Sequence, residues 1–246
     1  MTVTSAPATQ PVRPEPWFMF QGWRDLLFMS WPVPPADLAR LLPPGLPVDR
    51  FDGSGWVSLV PFHMSDLHLR WLPPIPGTAN FPEINLRCYV RVRGEPGVYF
   101  FSIDAASMLG SLVADLVFHL PFHDASMTLT ETGGTWMMSS ARRGKTDARF
   151  TGSYRASGAL RTPAAGSLEY FLVERYASFQ AAPGGKLYRG PLAHSNWQCQ
   201  DAEAEVEVNT LVTSAGLALP SKPVCHFSPG VDTRVGFVHR VDRVSG

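Results

Sequence analysis

The sequence predicts a β-rich α+β fold, and three observations carry that expectation. The first is Phe81-Pro-Glu-Ile-Asn-Leu-Arg-Cys-Tyr-Val-Arg-Val-Arg93, where Glu83, Asn85, Arg87, Tyr89, Arg91 and Arg93 alternate with Ile84, Leu86, Cys88, Val90 and Val92. A period of two over this length is that of a strand with one apolar side. The second is composition: 23 prolines and 21 glycines in 246 residues favour a turn-rich sheet over a helical bundle. The third is the run of short alternating segments punctuated by Gly94-Glu-Pro-Gly97 and Gly133-Gly134.

Taken in order, residues 1–16 are rich in Thr, Ala and Pro and read as a disordered arm, so the fold starts near Trp17. Proline at the first turn and the stripe Leu38, Leu41, Leu42 predict a helix over 34–42, stopped by Pro43-Pro44-Gly45. Residues 55–63 read as a strand and 72–77 as an irregular loop leading into the alternating strand over 81–93. Its hairpin partner spans 98–104. Met108, Leu112, Leu116 and His119 then recur at helical spacing, predicting a helix over 105–119 that Pro121 ends. Strands follow at 125–132, 135–142 and 148–157. Leu168, Phe171, Leu172, Tyr176 and Phe179 predict a helix over 167–180 with Ser167 as its cap. Residues 203–208 and 231–241 read as the last strands. No internal repeat or central linker divides the chain, so 17–246 is read as one domain.

Composition narrows the function. Lysine plus arginine and aspartate plus glutamate number 21 each, with no basic block, so nucleic acid is not an expected partner. No apolar run approaches the roughly 20 residues of a membrane span. Residues 1–16 lack the layout of a secretory signal, and the expected location is the cytoplasm. Cys88, Cys199 and Cys225 are odd in number and scattered, which points to reduced, buried thiols. No motif calls for a cofactor or a metal, and none is expected. The expected partner is a small molecule, and homo-oligomerisation is left open.

Glu83 and Arg87 lie four apart on one strand face with Asn85 between them. In an enclosed site, a bound carboxylate, carbonyl or enolate would meet a cation and an amide there. The alternative is a solvated face or a structural ion pair. His123 is a candidate acid or base if it points toward Glu83, the alternative being a cap or a surface residue. His119 and His123 do not form a metal pair on one helix, because Pro121 interrupts it. His63 and His68 flank Asp66 without supporting ligands, and His194, His226 and His239 are too scattered to combine by sequence. Asp104 and Ser102 are placed to cap the helix expected after them. Trp17, Trp23, Trp31, Trp56, Trp71, Tyr99, Phe100 and Phe101 read as core, with the option of lining an apolar pocket.

Several stretches carry a resemblance: Trp23-Arg-Asp-Leu-Leu27, Trp31-Pro-Val-Pro-Pro35, Leu42-Pro-Pro-Gly-Leu46, Phe81-Pro-Glu-Ile-Asn-Leu-Arg87, Glu174-Arg-Tyr176, Leu187-Tyr-Arg-Gly190 and His226-Phe227. From Trp23 onward the chain resembles the YqjF-like family of uncharacterised bacterial proteins, a domain of unknown function related in fold to acetoacetate decarboxylase. The resemblance implies a curved sheet or cone-shaped β-barrel around a central cavity, with a few helices outside. In acetoacetate decarboxylase a lysine of lowered pKa forms a Schiff base with a keto acid. The corresponding stretch here reads Leu120-Pro-Phe-His123, and the three lysines, Lys145, Lys186 and Lys222, lie elsewhere. The resemblance therefore argues against Schiff-base decarboxylation while implying that Glu83 occupies the position of an active-site glutamate. The expectation is a cavity protein whose chemistry, if any, uses Glu83 and His123 as acid or base and Arg87 and Asn85 as ligand-binding groups. A non-catalytic binding or sensing module is the rival reading. A structural protein, with the Glu83–Arg87 row exposed or at a contact, is the third.

Overall fold

The alternating stretch forms β3 (Phe81–Val92), and the computed structural model shows apolar packing against both of its faces. The model describes residues 16–74, 79–106, 120–144, 147–182, 185–219 and 222–241. Ile84, Leu86, Cys88, Val90 and Val92 enter one hydrophobic core, whereas Phe81 and Tyr89, on the face of Glu83, enter a second. The same division runs through β1 (Trp17–Val33), where Leu27, Met29, Trp31 and Val33 face the first core and Leu26 and Phe28 the second. It continues in β2 (Gly55–Leu69), with Val57 and Leu59 on one side and Trp56, Val60, Phe62 and Met64 on the other. Three central strands thus lie between two cores.

The remaining strands are β4 (Glu95–Ala105), β5 (Phe122–Thr132), β6 (Thr135–Arg142), β7 (Arg149–Arg161), β8 (Ala177–Ala181), β9 (Leu187–His194), β10 (Cys199–Asn209), β11 (Val224–Gly236) and β12 (His239–Val241). Their pairings return on themselves. Strands β1, β2, β3, β4, β8, β9 and β11 are hydrogen-bonded in that order, and β11 pairs again with β1. The second limb runs from β11 through β10, β7 and β6 to β5, which rejoins β4 in parallel. The result is a single curved, ring-like sheet whose β-rich character matches the sequence expectation.

The expected helix over 34–42 is present as α1 (Pro35–Leu41), with Leu38 buried. The expected helix over 167–180 is shorter. Ser167 caps α2 (Leu168–Val173) by accepting a hydrogen bond from the Tyr170 amide, but the helix ends at Val173 and the chain enters β8. Tertiary contacts stop it: the Glu174 carboxylate accepts from the Trp197 amide at 2.9 Å, and β8 has ladder partners on both sides in β4 and β9. A last short helix, α3, spans Leu211–Ser214. Of the helix expected over 105–119, Ala105 ends β4, and residues 107–119 lie outside the described residues, as does the N-terminal arm up to residue 15. The hairpin at 125–142 and the strands at 148–157 and 203–208 are all present, each longer than its sequence signal.

β1, β8 and β9 carry no clear sequence signal. β1 is apolar on both faces because it sits between two cores, so its residues do not alternate. At Asp25 it adopts φ 56°, and its register with β2 shifts between Arg24 and Met29, which reverses the facing of the residues that follow. A second irregularity, between Leu86 and Arg87 opposite Phe101, does the same in β4. Val98, Phe100 and Ile103 consequently face the same interior, although the last lies three residues beyond Phe100.

Candidate functional site

The strand ring encloses a cavity of about 110 Å³, and every one of its seven strands contributes to the wall. Glu83, Asn85 and Arg87 of β3 form one polar row, only 6%, 6% and 8% exposed. Around it stand Trp23 and Leu26 of β1, Phe62 of β2, Phe100 of β4, Phe122 of β5 and Trp197. The Glu83, Asn85 and Arg87 part of the polar face therefore points into the cavity rather than to solvent. Farther along, the row leaves the cavity. Tyr89 is buried, Arg91 reaches solvent and pairs with Asp49 at 2.9 Å, and Arg93 lies past the end of β3 in a turn with φ 51°.

Two arginines line the cavity and differ in how their charge is met. Arg175 donates to Asp49 Oδ2 at 2.7 Å and to the Phe171 carbonyl at 2.7 Å, so its cation is compensated within the wall. Arg87 has no carboxylate partner among the described residues. Its Nη2 donates to the Leu172 carbonyl at 3.2 Å, and the guanidinium lies over the rings of Phe28 and Tyr89, with centroids at 5.3 and 5.8 Å. Its Nε is buried without a hydrogen-bond partner. A buried cation left this way is costly.

Glu83 does not neutralise it. Burial, followed by the nearby negative charge of Asp104, pushes the Glu83 carboxyl up to about 8, against a smaller opposing effect of a hydrogen bond from Asn85. At neutral pH Glu83 is thus mainly a neutral acid and a proton donor. Asp104 itself is engaged: Arg142 Nε and Nη2 reach its two oxygens at 2.6 and 2.9 Å. Asp104 lies within β4 and forms a bidentate ion pair with β6, and the helix that it was expected to cap lies outside the described residues.

His123 lies in β5 as the register partner of Asp104 and is not among the described residues lining the cavity; its neighbour Phe122 is, because successive side chains of a strand turn to opposite faces. The histidine that does line the cavity is His194, at the end of β9. Its ring stacks on Tyr176 at 4.5 Å, and its Nδ1 and Nε2 face the carbonyls of Ser195 and Arg175 at 2.7 and 3.2 Å. Both carbonyls accept, so a neutral imidazole donates to one of them and the other nitrogen faces a carbonyl without a hydrogen bond. Trp197 stacks on Trp23 at 6.1 Å and keeps a buried indole Nε1 without a partner. Local sequence identified neither His194 nor Trp197; the only nearby signal was the family-like Leu187-Tyr-Arg-Gly190.

Of the aromatic candidates, Trp23 and Phe100 line the cavity, Trp31 and Trp56 are core, and Trp71 is 69% exposed. Lys186 and Lys222 are exposed and outside the cavity wall, and Lys145 lies outside the described residues. His226 is buried beside Glu169, with Nε2 at 3.8 Å, in a cluster that Arg161 joins to Asp201. That cluster ties α2 to β10 and β11, away from the cavity wall. Among the described residues no group of His, Cys, Asp and Glu is arranged to hold a metal. None of their helices is long and apolar enough to cross a membrane.

The curved, ring-like sheet is an acetoacetate decarboxylase-like fold, and solved structures of that class match it. Acetoacetate decarboxylase from Legionella pneumophila superposes with a TM-score of 0.67 over 97% of this chain and 93% of its own, at 15% identity. The enduracididine biosynthesis enzyme MppR, solved with pyruvate, gives 0.66 over 96% and 95% at 13% identity. An acetoacetate decarboxylase-like enzyme from Sphingomonas wittichii RW1 gives 0.64 over 97% and 100% at 18% identity. The chain belongs to the DUF2071 family, described as an uncharacterised conserved protein, whose model matches residues 20–232. It is 41% identical over 217 residues to the uncharacterised protein YqjF of Bacillus subtilis (strain 168), covering 88% of this chain and 89% of that protein.

Proposed function

We propose that this protein binds a small, partly apolar organic acid in the cavity, with the ligand's carboxylate or carbonyl oxygen on Arg87 and Glu83 acting as a proton donor beside it. The observation that carries this reading is the Arg87 guanidinium, which lines an enclosed cavity and lacks a carboxylate partner among the described residues. A ligand anion would supply that partner, and the apolar wall would strengthen the attraction by excluding water. Pyruvate, the acid held by MppR, is a ligand of this type. Any reaction is lysine-independent and limited to proton transfer through Glu83.

A purely binding or sensing role is the second reading. It is favoured by Glu83, whose carboxyl is pushed up to about 8 by burial and so gives the cavity wall an acid rather than a carboxylate base at neutral pH. Both readings share one test. Small acids and their uncharged amides are titrated calorimetrically against wild type and Arg87→Met. The acids are expected to bind, the amides to bind far more weakly, and Arg87→Met to lose at least about tenfold in affinity for the acids. Equal binding of acids and amides, or a folded Arg87→Met with unchanged affinity, rejects the proposal. Solvent-deuterium incorporation into a bound oxo acid above pH 8, where Glu83 is ionised and can take the proton from carbon, lost in Glu83→Gln, then separates catalysis from binding alone.

A further inference from the structure

Arg87 calls for an anion, but a second atom in the same row calls for something an anion cannot give. Asn85 Oδ1 is buried without a hydrogen-bond partner, on a side chain only 6% exposed that lines the cavity. Only this oxygen of the amide is in that state, since Asn85 Nδ2 is not among the buried unpartnered atoms of the described residues. What remains is an acceptor with nothing to accept, next to Arg87 on the same strand face. A carboxylate has no proton to offer it.

Trp197 adds a complementary requirement. Its indole Nε1 is buried and unpartnered in the same wall, and it needs an acceptor, as does Arg87 Nε. Among the described residues, the buried unpartnered side-chain atoms of the cavity wall are two donors, Arg87 Nε and Trp197 Nε1, and one acceptor, Asn85 Oδ1. Polar groups buried at this depth are ordinarily paired, so the unpaired set describes the groups a ligand brings. A plain alkanoate meets the donors only. So does an oxo acid, whose carbonyl also lacks a proton.

We infer that the preferred ligand is a short-chain hydroxy acid, with its carboxylate on Arg87 and a hydroxyl at the second or third carbon donating to Asn85 Oδ1. This inference rests on the acid-binding reading above. The hydroxyl is the smallest group that meets Asn85, and the cavity of about 110 Å³ leaves space for a metabolite of few non-hydrogen atoms. The short alkyl remainder lies against Leu26, Val60, Phe62 and Phe100, which line the same cavity.

The experiment uses the intact wild-type chain and two matched series: lactate, pyruvate and propionate, then 3-hydroxybutyrate, acetoacetate and butyrate. Calorimetric affinities are compared within each series at pH 7. In at least one series the hydroxy acid is expected to bind about tenfold tighter than both relatives, because only it pairs the buried acceptor. In Asn85→Ala that advantage disappears while binding of the plain acid persists. If all three acids of both series bind equally, the hydroxyl inference is wrong and the acid-binding reading stands. If an oxo acid binds best, Asn85 presents its NH₂ to the ligand and the inference is overturned. If no acid binds, both readings fall together. The wild-type comparison decides the matter even if Asn85→Ala does not fold.

Discussion

Arg87 and Glu83 sit on one strand face, yet they do not behave as a pair. Arg87 is a buried cation packed on Phe28 and Tyr89, and Glu83 carries a carboxyl whose proton is held up to about 8. Removing an uncompensated buried charge relieves its desolvation. Arg87→Met is therefore expected to unfold at a temperature equal to or above that of the wild type while losing ligand affinity, a combination that thermal denaturation beside the titration will detect. Glu83 makes a pH-dependent contribution of defined sign. Its folded pKa lies above the unfolded value of 4.5, so between about 4.5 and 8 the folded state binds more protons and stability falls as pH rises. Each unit of that displacement is worth about 1.4 kcal/mol. Glu83→Gln is expected to flatten this decline in urea titrations run from pH 5 to 8, and to be more stable than wild type at the upper end. An unchanged pH slope would show that Glu83 titrates near its ordinary value.

At the scale of elements, the cavity depends on the short β4–β8 contact, a single ladder pair within the ring that β9 and β11 close. β4 pairs β8 in parallel through Val98 and Ser178, and Gly97 beside it lets the backbones come together. A Cβ at Gly97 would stand 2.6 Å from the Phe179 ring and 2.7 Å from the Ala177 carbonyl. Gly97→Ala is expected to cost about 1–3 kcal/mol of stability and to weaken ligand binding, because Ser178 and Val98 both line the cavity. Denaturant titration and calorimetry on that variant are the checks. A comparable approach holds β1 against β11, where a Cβ on Gly230 would meet the Trp23 carbonyl at 2.0 Å. The helix over 167–180 shows how an element can be misread: its apolar spacing is genuine, yet β8 finds ladder partners that a helix would forgo. Propensity yields to pairing there.

Across the whole molecule, β1, β2 and β3 are packed between two cores, while β5 with β6 and β12 lie at the two ends of the strand order. Native-state hydrogen exchange should follow this layout, with amides of residues 84–90 and 57–62 exchanging slowest and those of 127–137 and 239–241 fastest. Slow exchange in the 127–137 hairpin matching that of β3 would mean that the second limb is as firmly held as the ring. A bound acid is expected to slow exchange most in the strands that line the cavity, since binding to the folded state alone raises its stability.

By itself, the sequence determined that the chain is β-rich, that 81–93 is a two-faced strand, and that Glu83, Asn85 and Arg87 share a face. Local chemistry suffices for these, because strand periodicity and turn residues act over a few positions. It also determined family membership through motifs spread along most of the chain. Only the tertiary structure decided that the polar face looks into a cavity, because the same alternation serves a surface strand equally well. Distance in sequence hid the rest: His194 and Trp197 lie more than a hundred residues from Glu83 and reach it through closure of β9 onto β11. The placement of His123 beside Asp104 and the pairing of Asp104 with Arg142 were likewise set by which strands meet, a property of ring closure that no local pattern carries.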